Sequence, residues 1–114
     1  MKLEDFLSLL ASKPEQVEFA DTMAVIESNY NFQETAFTNG KQSNAAGENS
    51  GSCKIFSFAQ LNQLTEAQTL TCFGIYYRND VLQHPDATDH QNIRQFMISG
   101  WSGIQFESPA LTLK

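Results

Sequence analysis

The first apolar positions, Leu3, Phe6, Leu7 and Leu10, recur at i, i+3, i+4 and i+7, the spacing that gathers side chains on one side of a helix. A short amphipathic helix is predicted there. Pro14 suits the first turn of a second helix, because its missing N–H would be unpaired in that turn anyway, and Glu15 and Glu18 complement the positive end of the helix dipole. This helix is predicted to run to Ser28. Its two apolar rows, Phe19, Met23, Ile26 and Tyr30 beside Val17, Ala20 and Ala24, form a broad stripe that asks for partners on more than one side and predicts a central place in the core.

From Tyr30 to Phe37 the period shortens, with Tyr30, Phe32 and Ala36 set against Asn31, Gln33 and Thr35, which predicts a strand. Thr38 to Ser52 then reads as a long polar loop, holding Gly40, Gly47 and Gly51 with Asn39, Asn44 and Asn49, residues that tolerate turns and left-handed backbone. Loops of this length carry function more often than short connections do, so it is the first place to seek a site. A third helix is predicted from Ser52, whose hydroxyl would cap it, with Ile55, Phe58 and Ala59 beside Phe56, Leu61 and Leu64. Thr65 and Gln68 have capping-box spacing and open a fourth helix, on which Leu70, Phe73, Tyr77 and Val81 share a stripe. His84 and Pro85 stop it. Asp89 would cap a fifth helix carrying Ile93, Phe96 and Met97, and Gly100 would end it. Ile104 and Phe106 alternate with Gln105 and Glu107, predicting a second strand able to pair with the first. The expected fold is mainly α (α+β), a compact bundle of about five helices with a short two-stranded antiparallel ribbon. Residues 1–114 are expected to form a single domain.

Composition narrows the function classes. Seven Lys+Arg against 13 Asp+Glu give a formal charge of −6, which repels phosphate backbones and anionic lipid, so neither nucleic acid nor membrane is an expected partner. No apolar run approaches the roughly 20 residues that span a bilayer, and Glu4, Asp5, Glu15 and Glu18 break up any signal-peptide pattern. A soluble, cytoplasmic protein is expected, with Cys53 and Cys72 as free thiols.

Candidate chemistry gathers in two places. At the end of the Gly/Asn-rich loop, Gly51, Ser52 and Cys53 would offer unpaired N–H groups beside Lys54, the makings of a phosphate or carboxylate site, with Asn44 and Asn49 close by. The spacing is not that of a nucleotide-binding P-loop. The competing reading is a capped helix whose Asn side chains bond their own backbone. Further on, Asp89, His90, Asn92 and Arg94 crowd together after His84 and Asp86. His90 could act as acid or base near neutral pH and shares a helix face with Arg94, while Ile93 and Met97 turn to the core; a solvated polar face is the plainer alternative. A thiol beside Lys54 at a helix start would have a lowered pKa, or Cys53 is simply a small buried residue. Imidazole and carboxylates at His84, Asp86, Asp89 and His90 match no structural zinc spacing, so no metal and no cofactor are expected. Tyr76, Tyr77 and Arg78, with Trp101, supply anchor-type side chains; Tyr76, one step off its stripe, is the one expected to reach a cleft.

Several stretches carry a resemblance. Tyr30-Asn31-Phe32, Ala36-Phe37-Thr38-Asn39-Gly40, Asn44-Ala45-Ala46-Gly47, Gly51 to Phe56, Cys72-Phe73-Gly74, Tyr76-Tyr77-Arg78, and Asp89 to Arg94 through Gly100-Trp101 resemble the HopJ type III effector protein family. The resemblance runs from Asp21 to Leu113. It implies a bacterial source and possible secretion into a host cell by the type III route, and it brings no assigned biochemical activity and no catalytic residues. The leading expectation is a non-catalytic interaction module with a host or bacterial protein as partner. The alternative is a cytoplasmic protein or enzyme binding a small anionic ligand, phosphate or carboxylate, through Asn44, Asn49, Ser52, Lys54, Tyr76, Arg78, His90, Asn92 and Arg94.

Overall fold

A computed structural model describes residues 1–114. The mainly helical α+β architecture is as expected, with helices α1 (Leu3–Ser12), α2 (Phe19–Asn29), α3 (Ser50–Leu61), α4 (Glu66–Thr71) and α5 (Gln91–Ser99). Helix α1 sinks Phe6 and Leu10 into the core. The second helix begins later than its sequence suggests: Pro14–Gln16 make one 3-10 turn, Val17 and Glu18 are extended, and α2 starts at Phe19.

The break has a steric cause. Gly74, with φ of +62°, comes so close that a Cβ placed on it would lie 2.6 Å from the Phe19 backbone nitrogen. The same contact interrupts the fourth helix, since only glycine holds that backbone conformation without strain. Helix α4 therefore stops at Thr71, and the predicted Leu70–Val81 stripe is divided, its second half forming a π-helical turn over Tyr76–Val81. The Thr65–Gln68 capping box closes as expected, with the Gln68 N–H donating to Thr65 Oγ1 and the Thr65 N–H to Gln68 Oε1, both at 3.1 Å.

The predicted strand from Tyr30 to Phe37 splits between two sheets. Strand β1 (Tyr30–Phe32) pairs antiparallel with a C-terminal strand, β5 (Leu111–Leu113), placing Phe32 opposite Leu111. The stretch predicted as a long loop contains a hairpin, β2 (Phe37–Asn39) and β3 (Gln42–Asn44), whose turn holds Gly40 at φ of +56°. Strand β4 (Ile104–Phe106) is the second strand expected, and it pairs with β2 rather than β1, setting Phe37 against Phe106. The remaining connection to α3 is short.

Helix α3, not α2, is the centre of the core: Cys53, Ile55, Phe56, Ser57, Phe58 and Ala59 are all buried along it. Phe56 touches the rings of Phe37, Phe73 and Phe96, which joins β2, the turn before Gly74 and α5 around one aromatic side chain. Helix α2 buries Thr22, Val25 and Ile26, and Ala24 is exposed. Met97 is 45% exposed, because α5 turns Asn92, Ile93 and Phe96 inward instead. Gly100 ends α5 with φ of +60°, as its position suggests. No helix is long and apolar enough to cross a membrane.

Candidate functional site

Helices α3 and α5 begin in the same unusual way. Their N-cap residues, Asn49 and His90, sit in left-handed backbone, at φ 50° and ψ 48° and at φ 50° and ψ 49°. An N-cap ordinarily has extended backbone, which points its side chain at the free N–H groups of the first turn. In the left-handed conformation neither side chain caps its helix. The expected caps, Ser52 and Asp89, do not serve either: Ser52 lies within the first turn, and Asp89 accepts from Arg94.

The N–H groups of Ser50, Gly51 and Ser52 on α3, and of Gln91, Asn92 and Ile93 on α5, consequently donate to no protein acceptor; the first N–H bonded back in each helix is that of Cys53 or Arg94. Both first turns lack acidic residues. The two helix starts line one cavity of about 470 Å³, together with Gln42 and a row of three rings, Phe19, Tyr76 and His90. Tyr76 lies between the other two, 5.0 Å from Phe19 edge to face and 5.2 Å from the His90 ring, centroid to centroid. None of the chain's 13 Asp and Glu residues lines this cavity.

What holds the two helix starts in register is an amide network, buried at Asn39, Asn44 and Asn92 and exposed at its Asn49 end. Asn49 Nδ2 donates to Asn44 Oδ1 at 2.7 Å, Asn92 Nδ2 donates to the same oxygen at 2.9 Å, and Asn44 Nδ2 donates to Asn92 Oδ1 at 3.2 Å. Asn39 adds a donor to Asn92 Oδ1 at 3.1 Å, its own Oδ1 being buried without a partner. Asn44 thus ties the cap of α3 to the first turn of α5. Because these groups are neutral, the network fixes geometry without adding negative charge behind the N–H groups.

His90 has one strong partner outside its own segment, Asp80 on the π-helical turn, with Nε2 3.0 Å from Oδ2. The same nitrogen is 3.8 Å from Asp89 Oδ2. Arg94 donates to Asp89 Oδ1 at 2.7 Å, and this bond, ahead of the charges of His90 and Arg94, holds the Asp89 carboxyl below the usual carboxylate range.

The structure thus brings Asn49, Ser52, Tyr76, His90 and Asn92 around one cavity, with Asn44 behind it. The three cations of the expected set lie elsewhere. Lys54 stands over the Phe32 ring at 4.9 Å and near Glu27 at 4.0 Å. Arg78 donates to the Val17 carbonyl at 2.8 Å, pinning the extended stretch before α2. Arg94 donates to the carbonyls of His84, Pro85 and Asp89, which clamps the loop ahead of α5. Asn92, expected on a polar surface with His90 and Arg94, is buried. Cys53 is buried too, and burial raises its thiol pKa despite the Thr35 carbonyl and Lys54, so the lowered pKa suggested by its position does not arise.

Phe19, Gln42 and Asp80 belong to this region without having been singled out by pattern. For Gln42 a signal existed, since Asn39-Gly40 is a hairpin-turn dipeptide and fixes where the next strand starts. For Asp80 there was none, because the π-helical turn departs from helical periodicity.

The geometry defines a small α+β protein with a cleft between two open helix starts. The family model described as HopJ type III effector protein matches residues 3–111, and the chain belongs to the HopJ family. Its structure is similar to the crystal structure of a protein of unknown function, VPA0580, with a TM-score of 0.99 and 61% identity, covering 100% of this chain and 95% of that one. No curated protein matches the sequence.

Proposed function

We propose that this HopJ-family protein binds a small oxyanion, a phosphate or carboxylate group, in the cleft between the starts of α3 and α5. One observation carries the reading: five first-turn residues from two helices, Gly51, Ser52, Gln91, Asn92 and Ile93, whose backbone N–H groups have no protein acceptor, line a single cavity from which every carboxylate of an acidic chain is absent. Each helix start contributes a partial positive charge, and two aimed at one volume reinforce each other. The aromatic row of Phe19, Tyr76 and His90 supplies an apolar wall for whatever organic group bears the anion. Asn49 and Ser52 add side-chain polar groups at the same mouth.

The test is a substitution whose effects on stability and on binding have opposite signs. Ser52→Asp sets a carboxylate at the third residue of α3, where it complements the helix dipole and is expected to stabilise the fold by about 0.3–1 kcal/mol. The same carboxylate occupies the anion's place. Calorimetric titration of the unmodified chain with inorganic phosphate, phosphorylated metabolites and small carboxylates is expected to give saturable binding that Ser52→Asp abolishes. Phosphate and carboxylates that leave the unmodified chain unchanged would end the reading.

A second reading, a docking module for a host or bacterial protein reached by the type III route of the family description, draws on the exposed apolar side chains Ile75, Leu82, Met97 and Ile98, the last 80% exposed. It predicts no response to phosphate, so the same titration separates the two.

A further inference from the structure

The cleft has a contradiction of charge at its rim. Its lining is free of carboxylates, yet His90, which contributes to that lining, is flanked by Asp80 and Asp89. Two carboxylates there oppose an incoming anion unless something of opposite sign sits between them. Arg94 offsets only one, through Asp89 Oδ1, and leaves Asp89 Oδ2 turned toward the imidazole.

We propose that Asp80, Asp89 and His90 bind a divalent transition-metal ion, manganese or zinc, at the rim of the cleft. One oxygen each of Asp80 and Asp89 and a ring nitrogen of His90 lie within 4.8 Å of one another, Asp80 on the π-helical turn and the other two just ahead of α5. The two separations involving the imidazole nitrogen are 3.0 and 3.8 Å. Ligands about 2.0–2.2 Å from a common ion stand roughly 3–3.5 Å apart, so the site needs only small side-chain adjustments. One imidazole with two carboxylates suits manganese or zinc better than magnesium or calcium, which prefer oxygen alone. The surroundings orient the ligands: Arg94 holds the far oxygen of Asp89, and Tyr76 packs on the His90 ring. All three side chains are partly open to solvent, at 35%, 55% and 29%, so an ion can reach them. Three protein ligands leave coordination positions for water or for an oxygen of the anion. That last use of the ion rests on the anion reading, whereas the metal site does not.

The test uses the full chain and the metal alone, in a buffer without phosphate or carboxylate. With Zn²⁺, the ring resonances of His90 are expected to shift while those of His84 stay still, the chain's two histidines forming an internal control. With Mn²⁺, paramagnetic broadening is expected to centre on the amides of Asp80 and of Asp89 to Gln91. The double variant Asp80→Asn, Asp89→Asn removes both negative ligands at constant size. Losing even an outer partner costs a site about 10–100-fold in affinity, so this variant is expected to weaken Mn²⁺ binding by more than about tenfold. Equal shifts at both histidines, broadening spread over other acidic positions such as Glu4 and Asp5, or unchanged binding in the double variant would each overturn the proposal. Should the double variant misfold, the histidine comparison on the unmodified chain still decides. The two readings fail separately: phosphate binding measured with chelator tests the helix starts, and Mn²⁺ without phosphate tests the three ligands.

Discussion

Helices α2 and α4 close their own starts, and helices α3 and α5 do not. At α4 the Thr65 hydroxyl and the Gln68 amide exchange hydrogen bonds with each other's backbone, and at α2 the Asp21 carboxylate accepts from the Glu18 N–H at 3.3 Å. At α3 and α5 the cap side chains turn away into other work, Asn49 to the amide network and His90 to Asp80. The left-handed caps cost strain of about 1–3 kcal/mol each, more easily borne by asparagine than by histidine. A chain able to build capping boxes has thus left open the two helix starts that face one cavity. Helix α1 also starts without a side-chain cap, at Lys2, but lines no part of that cavity, so under the proposed anion reading it is the shared cavity that sets α3 and α5 apart.

The comparison breaks most severely at Asn44. Asn44→Ala removes the oxygen shared by Asn49 and Asn92 and strands the buried Asn92 amide donor, while the exposed Asn49 amide turns to water. At about 1–3 kcal/mol for one stranded buried group, the expected loss is about 2 kcal/mol in urea unfolding. Phosphate affinity is expected to fall with it, because the two helix starts lose their common tie. Thr65→Ala, in contrast, opens a closed helix start that faces no ligand. It is expected to cost about 1 kcal/mol, and phosphate binding measured by titration should not change. If Thr65→Ala weakened phosphate as much as Asn44→Ala does, the distinction between the two kinds of helix start would collapse.

A smaller substitution sharpens the contrast on the α5 side. Gln91 is the first residue of that helix and is exposed. Gln91→Glu adds a carboxylate near the helix start and is expected to weaken phosphate, while the dipole gain of about 0.3–1 kcal/mol is offset by loss of the Gln91 Nε2 donor to the Thr88 carbonyl at 2.6 Å, leaving stability nearly unchanged. Together with Ser52→Asp, it asks whether both helices contribute to one site or only one does.

Much of this was legible in the residues themselves, and the exceptions share a cause. The α1 stripe, the Thr65–Gln68 box, the Gly100 stop and the placing of Tyr76 at a cleft depend on local spacing, which a sequence displays. The division of α2 and of the fourth helix depends on Gly74 meeting Glu18 and Phe19, a contact between distant parts of the chain. Asn92 looks like a surface residue on a polar helix face, and its burial follows only from Asn39 and Asn44 arriving on a hairpin of short, polar strands. Lys54 and Arg94 look like anion ligands by charge and position, yet an aromatic ring, a carboxylate and backbone carbonyls claim them first. Partners across the fold decide such cases, and spacing does not reveal them.

The two thiols give the smallest expected effect at neutral pH and test whether open helix starts activate whatever lies near them. Cys53 follows directly on the open turn of α3, but its own N–H is already bonded to the Asn49 carbonyl at 2.9 Å and its side chain is buried. Burial raises its pKa more than the Thr35 carbonyl and Lys54 lower it. Cys72, packed beneath Thr22 beyond α4, is pushed up by burial to about 12. Both shifts favour the neutral thiol in the folded state, so the unfolded chain ionises first, near its ordinary value of 9.0. The stability that these neutral thiols contribute is therefore fully present below that pH and is lost as pH rises from about 9, for Cys72 toward about 12. At pH 7 a disulfide exchange reagent is expected to react with neither cysteine until the fold opens, with or without phosphate. Fast labelling of Cys53 in the native protein would mean that the α3 start is open to its own side chains as well as to a ligand. Slow labelling of both confines its electrostatic reach to the cleft.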